Sequence, residues 1–292
     1  MNGYHAGELA VQRRMGQSEI AARVGRMIRT EIPAAAAAFL AEQPLIVLAA
    51  TDDAGRVWAS LVTGPAGFVH ADDDQTIAVD ALPVAGDPLH DVLRRSDQHV
   101  GMIAIEPQTR RRMRVNGLVQ PTQHGLRIHP DQVYSNCPKY ISRRHIEGVD
   151  AAGHSPVIQR ASGLDERTQQ IVARTDTFFI GSADPEGNAD ASHRGGNPGF
   201  LQVLSPNRLR WPDYRGNSMF MTLGNISTNP RCGLLISDWD TGTTIQLTGT
   251  AEIIWDEGPQ CSVEFTIDEV VELTDVSPLR WGRAELSPAN PD

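Results

Sequence analysis

Apolar and polar residues follow the same succession twice along this chain, with a constant offset in residue number between the two copies. In each segment an apolar run leads into an acidic turn that ends in glycine, at 52–55 or 184–187, and a second apolar run returns. Glycine readily adopts the positive φ that a tight reversal requires, so the pattern predicts a β-hairpin in each segment. Further apolar runs predict three more strands per segment. The ten predicted strands are 45–50, 57–63, 76–80, 100–105 and 111–119, and then 177–182, 189–195, 208–211, 232–237 and 243–254.

Most of the identical residues that align between the two copies are glycines. One and the same shift aligns Gly55 with Gly187, Gly64 with Gly196, Gly67 with Gly199, Gly101 with Gly233, Gly117 with Gly249, and Ala59-Ser60 with Ala191-Ser192. Short strands around one helix in each copy predict a small antiparallel barrel. We therefore predict a mainly β protein with α (α+β), in which two tandem copies of one fold occupy 40–130 and 172–286.

Helical periodicity is found in the flanks, in the linker and at one place in each copy. The N-terminal segment, 1–39, has apolar positions at helical spacing among Arg and Glu, which predicts an amphipathic helix over 8–29. Pro33 before an alanine-rich run predicts a second helix at 34–40. Residues 131–171 form a helical linker, and 287–292 form a proline-rich tail. The other predicted helices are 88–95 and 218–226 in the copies, and 131–144 and 165–174 in the linker.

Composition narrows the class of protein. A net charge of −10 argues against a protein that coats nucleic acid, which would need a basic face. The three cysteines form no CxxC pair, so neither a disulfide scaffold nor a structural zinc site is expected. No apolar run is long enough for a membrane span, and the polar N-terminus lacks the pattern of a signal peptide. We expect a cytoplasmic protein with no nucleic-acid or membrane partner.

Charge is distributed unevenly between the two copies. Residues 1–150 carry 16 Lys and Arg against 17 acids, whereas residues 151–292 carry 10 against 19. An anion would therefore find its cations more easily in the first half. The densest basic cluster is Arg110, Arg111, Arg112 and Arg114. Strand alternation places three of them on one face, where they could meet a phosphate, but a solvated strand face is the favoured interpretation.

Candidate chemistry in the second copy centres on His193 and Arg194. The neighbouring residues are Ser and Gly, which lack the bulk of a core, so an anion site is favoured over a polar strand end. Cys137 lies two residues before Lys139, which could lower the pKa of its thiol, but a packed structural cysteine is the favoured interpretation. The histidines and carboxylates show no spacing typical of metal ligands, so no metal site is predicted.

Four segments of the chain resemble a known family. They are HAGELAVQRR at 5–14, NCPKYI at 136–141, ADASHRGGNPGF at 189–200 and GNSMFMTLGN at 216–225. They resemble the pyridoxamine 5'-phosphate oxidase-like, FMN-binding split-barrel proteins, in a subgroup with tandem copies. The resemblance implies two tandem split β-barrels with flanking helices. It also implies a homodimer with FMN at an interface.

The resemblance also implies where the cofactor phosphate would bind. The family uses an Arg on the second strand and a Ser-Arg-Lys-like segment at a helix opening. In this sequence the matching strand residues are Ser192, His193 and Arg194, and the matching helix-opening residues are Arg215, Asn217 and Ser218. Guanidinium groups and helix N-termini both favour phosphate oxygens.

One departure from the family pattern is Met219, which stands where a lysine is usual. We therefore hypothesise that Lys139, the only lysine of the chain, folds back to supply the missing cation. Its neighbour Tyr140, in the same segment, is a further candidate for cofactor binding. Trp281 lies in a C-terminal segment that resembles the one with which family members reach the flavin. It either stacks on the ring or anchors the last segment to the barrel. His193 is the candidate polar group near the ring, with a catalytic role.

The first copy is a poorer match for a phosphate. Its corresponding residues are Ser60, Leu61 and Val62, with Asp87 at the helix opening, so we expect one cofactor site per chain, in the second copy. The implied function is an FMN-dependent oxidoreductase acting on a small organic substrate. The alternative is a non-catalytic split barrel that binds flavin, deazaflavin or haem.

Overall fold

The computed structural model describes residues 3–95, 97–150 and 156–291. Its first half contains three helices and then seven strands, as the apolar runs of that half require. These elements are α1 (Ala6–Arg14), α2 (Ser18–Gly25), α3 (Ala34–Ala41), β1 (Leu45–Thr51), β2 (Val57–Thr63), β3 (Val69–Ala71), β4 (Ile77–Val79), β5 (Gln98–Glu106), β6 (Arg111–Pro121) and β7 (Leu126–Ser135).

The second half adds two linker strands, a helix and a second set of seven strands with one helix inside it. A last short strand follows. These elements are β8 (Ile146–Val149), β9 (Ile158–Ala161), α4 (Glu166–Arg174), β10 (Thr177–Ala183), β11 (Ala189–Gly195), β12 (Gln202–Ser205), β13 (Arg208–Pro212), α5 (Met221–Thr228), β14 (Arg231–Asp238), β15 (Thr243–Trp255), β16 (Cys261–Leu273) and β17 (Leu279–Trp281).

The two main sheets have the same strand order. It runs β2-β1-β5-β6-β7-β4-β3 in the first half and β11-β10-β14-β15-β16-β13-β12 in the second, where β9 also pairs with β16. Neighbouring strands pair antiparallel throughout, and a separate ribbon joins β17 to β8. Each sheet curls around its own apolar core. The predicted fold class, two tandem split β-barrels with flanking helices, is confirmed.

A β-bulge fixes the register of the repeat. It lies between Asn116 and Gly117 where β6 pairs with β7, and at the equivalent position of the second copy, between Thr248 and Gly249, where β15 pairs with β16. A side chain at Gly117 would collide with the carbonyl oxygen of His129, and one at Gly249 would collide with that of Thr266. Both glycines therefore permit a close approach of backbone that a Cβ would prevent.

The two halves pack against each other through equivalent strands. A Cβ at Gly101 on β5 would strike the backbone of Asp190 and Ala191 on β11, and a Cβ at Gly233 on β14 would strike that of Val57 and Trp58 on β2. The internal repeat relates these two contacts, because it aligns β5 with β14 and β2 with β11. The chain is thus arranged as an internal pair of barrels, each presenting the same face to the other.

The segment HAGELAVQRR forms α1 and attaches it to the second barrel. His5 caps the helix, and Glu8 accepts a hydrogen bond from the His5 backbone N–H at 2.8 Å, which completes a capping box. A side chain at Gly7 would collide with the carbonyl oxygen of Gly224 on α5, so glycine allows the two helices to touch. Burial raises the pKa of Glu8 to about 7.

Three predicted helices differ from the structure. The single helix expected over 8–29 is two helices, because the chain turns at Gly16, whose φ is +65°. The helix expected at 88–95 is a series of turns. The helical piece expected at 131–144 is wrong, because Leu126–Ser135 is the strand β7, which completes the first sheet. Its apolar and polar residues alternate in burial, a pattern that the sequence analysis missed.

Candidate functional site

A polar cavity of about 100 Å³ lies where the two barrels meet. The second half supplies β11, the loop after β13 and the start of α5, and the first half supplies β6 and the segment after β7. Six residues selected from the sequence line it. They are Tyr140, Ser192, His193, Arg194, Asn217 and Ser218.

Three guanidinium groups line this cavity. Arg112 and Arg114 project from β6, and Arg194 projects from β11. Burial, together with the positive charges of Arg114 and Arg194, lowers the pKa of Arg112 to about 9. Burial lowers the pKa of Arg114 as well. Each of these shifts indicates a cation held where the charged form is disfavoured.

Two of the three cations have carboxylate partners. Arg114 forms a buried ion pair with Asp190, and Arg194 Nη2 lies 3.6 Å from Asp213 Oδ1. Arg112 instead donates to the carbonyl oxygen of Cys137 at 2.7 Å and to His193. In the part of the chain that the structure describes, no carboxylate lies within salt-bridge distance of Arg112. A buried cation without a counter-charge is costly, so Arg112 is the group that gains most from a bound anion.

His193 is fixed in one tautomer by Arg112. Arg112 Nη1 lies 2.7 Å from His193 Nδ1, and a guanidinium can only donate, so Nδ1 accepts and the proton sits on Nε2. Burial lowers the pKa of His193 well below its usual value, and Arg112, Arg194 and Arg144 add to the shift. The ring is therefore a neutral hydrogen-bond donor through Nε2.

Five buried polar atoms of the cavity-lining residues have no hydrogen-bond partner. Four are N–H donors and one is an amide oxygen. They are Nε of Arg112, Nε of Arg114, Nε of Arg194, Nε2 of His193 and Oδ1 of Asn136. Buried donors left unpaired cost about 1–3 kcal/mol each. Their concentration around one cavity fits a bound anion, which accepts several hydrogen bonds at once.

The loop before α5 is held in an unusual backbone conformation. Ser218 and Phe220 have φ of +64° and +59°, in the left-handed region that residues other than glycine rarely adopt. Ser218 Oγ donates to Gln17 Oε1 at 2.5 Å, so the turn before α2 fixes this loop. The helix begins at Met221, later than the predicted start at 218. Asn217 and Ser218 therefore line the cavity from a strained loop, not from the first turn of a helix.

Two tyrosines form the aromatic edge of the cavity. The rings of Tyr140 and Tyr214 lie 5.2 Å apart between centroids, and the Tyr140 hydroxyl donates to the carbonyl oxygen of Arg215 at 3.0 Å. Burial raises the pKa of both phenols. Tyr140 belongs to the linker segment NCPKYI, so this segment forms part of the cavity wall.

Three of the residues selected from the sequence do not line the cavity. Arg215 and Lys139 are exposed, and only their backbone carbonyls contact the site residues Tyr140 and Arg112. Trp281 lies on β17, where its ring packs edge-on against Trp239 at 5.1 Å. Met219 is buried, and its carbonyl oxygen accepts a hydrogen bond from Gln12 at 2.9 Å. The cation expected from Lys139 is not placed at the cavity.

Sequence reasoning missed two of the three cations. The solvated face that was favoured for the cluster at 110–114 is wrong for Arg112 and Arg114, which line the cavity, and correct for Arg111, whose side chain is 53% exposed. The larger number of Lys and Arg in the first half, 16 against 10 in the second, was the available signal. It could not identify β6, because the barrel contact that buries that face joins residues far apart in sequence.

The equivalent place in the first half is closed. There Gln246, which the repeat aligns with Arg114, donates to Ser60 Oγ at 2.9 Å and to Asp87 Oδ2 at 3.0 Å. Ser60 Oγ also donates to Asp87 Oδ1 at 2.5 Å. Burial raises the pKa of Asp87 to about 6, although these hydrogen bonds lower it. The remaining space, beside Leu61, is about 10 Å³ and is covered by Trp281.

Among the described residues, no group of three or more His, Cys, Asp or Glu is placed to hold a metal ion. No helix in the described part of the chain is long and apolar enough to cross a membrane.

Comparison with known proteins connects the second half to a family. Residues 164–266 match the family model described as pyridoxamine 5'-phosphate oxidase. No curated protein matches the chain.

The solved structures that resemble this chain match only a part of it that is about as long as one barrel. A candidate pyridoxamine 5'-phosphate oxidase of Lactobacillus delbrueckii is 20% identical, with 38% of this chain and 94% of that chain covered and a TM-score of 0.32. An FAD-binding protein of Mesorhizobium loti is 11% identical, with coverages of 41% and 98% and a TM-score of 0.31. An FMN-binding protein of Syntrophomonas wolfei is 11% identical, with coverages of 35% and 80% and a TM-score of 0.28.

Proposed function

We propose that this chain, whose second half belongs to the pyridoxamine 5'-phosphate oxidase-like split-barrel family, binds FMN and uses it as an oxidoreductase of a small organic substrate. The flavin phosphate would occupy the cavity between the barrels. The bound flavin supplies the redox chemistry, and the protein supplies binding and orientation.

The observation that carries this proposal is the half-buried guanidinium of Arg112, which has no carboxylate partner among the described residues. Together with Arg114 and Arg194 it surrounds a small cavity in which four N–H donors have no partner. A phosphate monoester offers up to two negative charges and several acceptor oxygens, which match this donor set. The cavity of about 100 Å³ is smaller than the roughly 300–1,000 Å³ typical of sites that enclose whole small molecules, so it fits the anionic end alone.

His193 contributes a neutral donor to the same site. Its Nε2–H is available to an acceptor atom of the ligand, and its pKa lies well below the usual value. The contribution of His193 to binding is therefore independent of pH around neutrality. The neutral ring, held by Arg112, orients the ligand and does not serve as a strong base.

Both halves of one chain build the cavity, so one chain is sufficient to form it. A homodimer of whole chains stays a prediction. The alternative function, binding of a flavin, deazaflavin or haem without turnover, is favoured by the lowered pKa of His193, because an imidazole that resists protonation is a poor proton acceptor.

Titration of the protein with FMN, followed by flavin fluorescence, tests the proposal. We expect Arg112→Gln to weaken FMN binding at least tenfold, because hydrogen bonds from charged donors contribute about 1.5–3 kcal/mol. Arg111→Gln is the matched control, since its exposed side chain lies on the same strand outside the cavity. Equal effects of the two variants, or a wild-type protein that binds no FMN, would contradict the proposal. Bleaching of the bound flavin by a substrate and its return in air would separate turnover from binding alone.

A further inference from the structure

Asp213 is the one carboxylate among the described residues that line the basic cavity. It follows directly after β13, and its backbone N–H donates to the carbonyl oxygen of Cys261 on β16 at 3.0 Å, so the neighbouring strand fixes its position. Its side chain is only 11% exposed. An acidic group is therefore held at the place where the proposed function puts an anion.

The carboxylate of Asp213 is poorly paired for a buried acid. Asp176, a buried carboxylate on the same half, accepts hydrogen bonds from Arg144 with both oxygens, at 2.9 Å each. Asp213 Oδ1 lies 3.6 Å from Arg194 Nη2, well beyond the roughly 2.7–2.9 Å of a charge-assisted hydrogen bond. In the described part of the chain, no group donates a hydrogen bond to the oxygens of Asp213. These oxygens are therefore left as free acceptors beside Arg194.

The cavity thus presents two opposite kinds of hydrogen-bonding group to one ligand. Four unpaired N–H donors, which belong to three arginines and His193, require acceptor oxygens. An ionised Asp213 can only accept, so it requires an O–H or N–H donor on the same ligand. A fully deprotonated anion supplies the acceptors but sets its negative charge against that of Asp213. A phosphate that keeps one proton supplies both the acceptor oxygens and an O–H donor.

We propose that Asp213 makes the basic cavity selective for a protonated phosphate over sulfate, by accepting a hydrogen bond from the P–OH group. The inference rests on the proposed function, because it specifies the form in which the anionic end of the ligand binds. One proton lies between a phosphate oxygen and the carboxylate, and the other phosphate oxygens accept from the arginines. A phosphate monoester has a second pKa of about 6, so this proton is accessible near neutral pH.

The titratable groups around Asp213 keep one charge state near neutral pH. They are Arg194 on β11, Cys261 on β16, Tyr140 of the linker segment and the adjacent Tyr214. Burial raises the pKa of Cys261 to about 12 and also raises the pKa of both phenols, so all three stay neutral. Burial raises the pKa of Asp213 as well, against the opposing effect of Arg194, which favours a proton shared with the ligand.

Calorimetric titration with inorganic phosphate and with sulfate at pH 7 and constant ionic strength tests the inference without a flavin. Both ions are tetrahedral oxyanions, but only phosphate keeps an O–H group at this pH. We expect the wild type to bind phosphate at least tenfold more tightly than sulfate, because a site built to pair a donor rejects an analogue that lacks it. Equal affinities, or no binding of either ion, would overturn the inference.

Asp213→Asn tests the residue itself, since an amide of the same shape can donate to either ion. This variant should bind sulfate at least tenfold more tightly than the wild type does and should lose the preference for phosphate. Asp256→Asn, at an exposed acid outside the cavity, should keep the wild-type preference. If Asp213 served only to position Arg194, Asp213→Asn would weaken both ions in parallel. That result, or an unchanged preference, would contradict the inference.

FMN separates this inference from the proposed function. Calorimetry at about pH 7.5, in two buffers of different ionisation enthalpy, should show that the wild type takes up about one proton more per bound FMN than Asp213→Asn does. Glu8, whose pKa is about 7, lies outside the cavity and is present in both proteins, so the difference reports on Asp213.

The two possible failures give different results. FMN binding with equal proton uptake by the two proteins would refute the inference and leave the proposed function intact. A wild type that bound no FMN, but preferred phosphate over sulfate in a manner that depends on Asp213, would refute the proposed function and leave the inference intact.

Discussion

The two halves of this chain have the same fold, but the space beside the second strand is open and basic in one half and closed in the other. In the second half, the site on β11 faces Arg112 and Arg114 from β6 and stays open as a basic cavity. In the first half, the equivalent site on β2 faces Gln246 from β15, and Asp87 closes it. The backbone and the bulge that present these strands are the same. The fold thus provides the same place twice, and side-chain chemistry leaves it open and basic in one half and closed in the other.

The difference can be followed position by position. Arg114 is replaced by Gln246 and Arg194 by Val62, so two cations become a neutral amide and an aliphatic side chain. The amide then bonds within the protein, to Ala59 at 2.8 Å and to Ser60. The open site keeps four N–H donors without partners around its cavity, whereas the amide nitrogen of Gln246 in the closed site is paired within the protein.

The closed site should give the largest effect, on stability. The pKa of Asp87 is about 6 in the folded protein and about 3.9 in an unfolded chain, so its stabilising contribution is present below about pH 4 and is lost as pH rises through 6. Asp87→Asn should therefore gain about 2 kcal/mol in unfolding free energy relative to the wild type between pH 4 and pH 7. Urea unfolding at both pH values measures this. A constant difference between the two proteins would show that Asp87 is ionised throughout.

The open site should respond next, through ligand affinity. Arg194→Ala should weaken FMN binding about tenfold to a hundredfold, because a charged donor to phosphate is lost. Val62→Ala, at the equivalent position of the closed site, should leave FMN affinity unchanged. Fluorescence titration of both variants makes the comparison, and similar losses would mean that both sites, or the wrong site, had been assigned.

The aromatic covers of the two sites provide a smaller contrast. Trp281→Ala should lower the unfolding free energy by about 1–2 kcal/mol, less than for a fully buried aromatic, and should not alter FMN affinity. Tyr140→Ala, at the edge of the open cavity, should weaken FMN binding. Thermal unfolding and FMN titration of both variants check this. A loss of FMN affinity in Trp281→Ala would show that Trp281 contacts the flavin.

The smallest effect is expected at the exposed cations near the site. Lys139→Met and Arg215→Gln should leave both FMN affinity and its salt dependence unchanged, since neither side chain lines the cavity. Titrations at low and high salt measure this. A reduced salt dependence in Lys139→Met would show that the lysine approaches the ligand after all.

Much of this architecture could be predicted because it depends on local patterns. The glycine repeat, the hairpin turns and the second strands β2 and β11 are all visible in short windows of sequence. The strand β7 was missed because the prediction ended the first copy at 130 and assigned a helix from 131, and Pro130, which cannot donate a ladder hydrogen bond, interrupts the strand pattern at that point. The turns at 88–95 could not be distinguished from a helix, because their fixed shape depends on the buried contacts of Asp87.

The site was predictable only in part. Ser192, His193 and Arg194 are adjacent on one strand, so their chemistry could be recognised together. Arg112 and Arg114 join them from the other barrel, and no local pattern indicates that contact. The tautomer of His193 depends on Arg112 as well, because it follows from the contact of 2.7 Å between Arg112 Nη1 and His193 Nδ1.

The stoichiometry of FMN binding tests the central claim most directly, that one chain holds one anion site built from both halves. Equilibrium dialysis of the wild type against FMN should give one flavin per chain, and Arg112→Gln should lower the occupancy sharply at the same FMN concentration while Arg111→Gln does not. Two flavins per chain, or one flavin that is indifferent to Arg112, would contradict it.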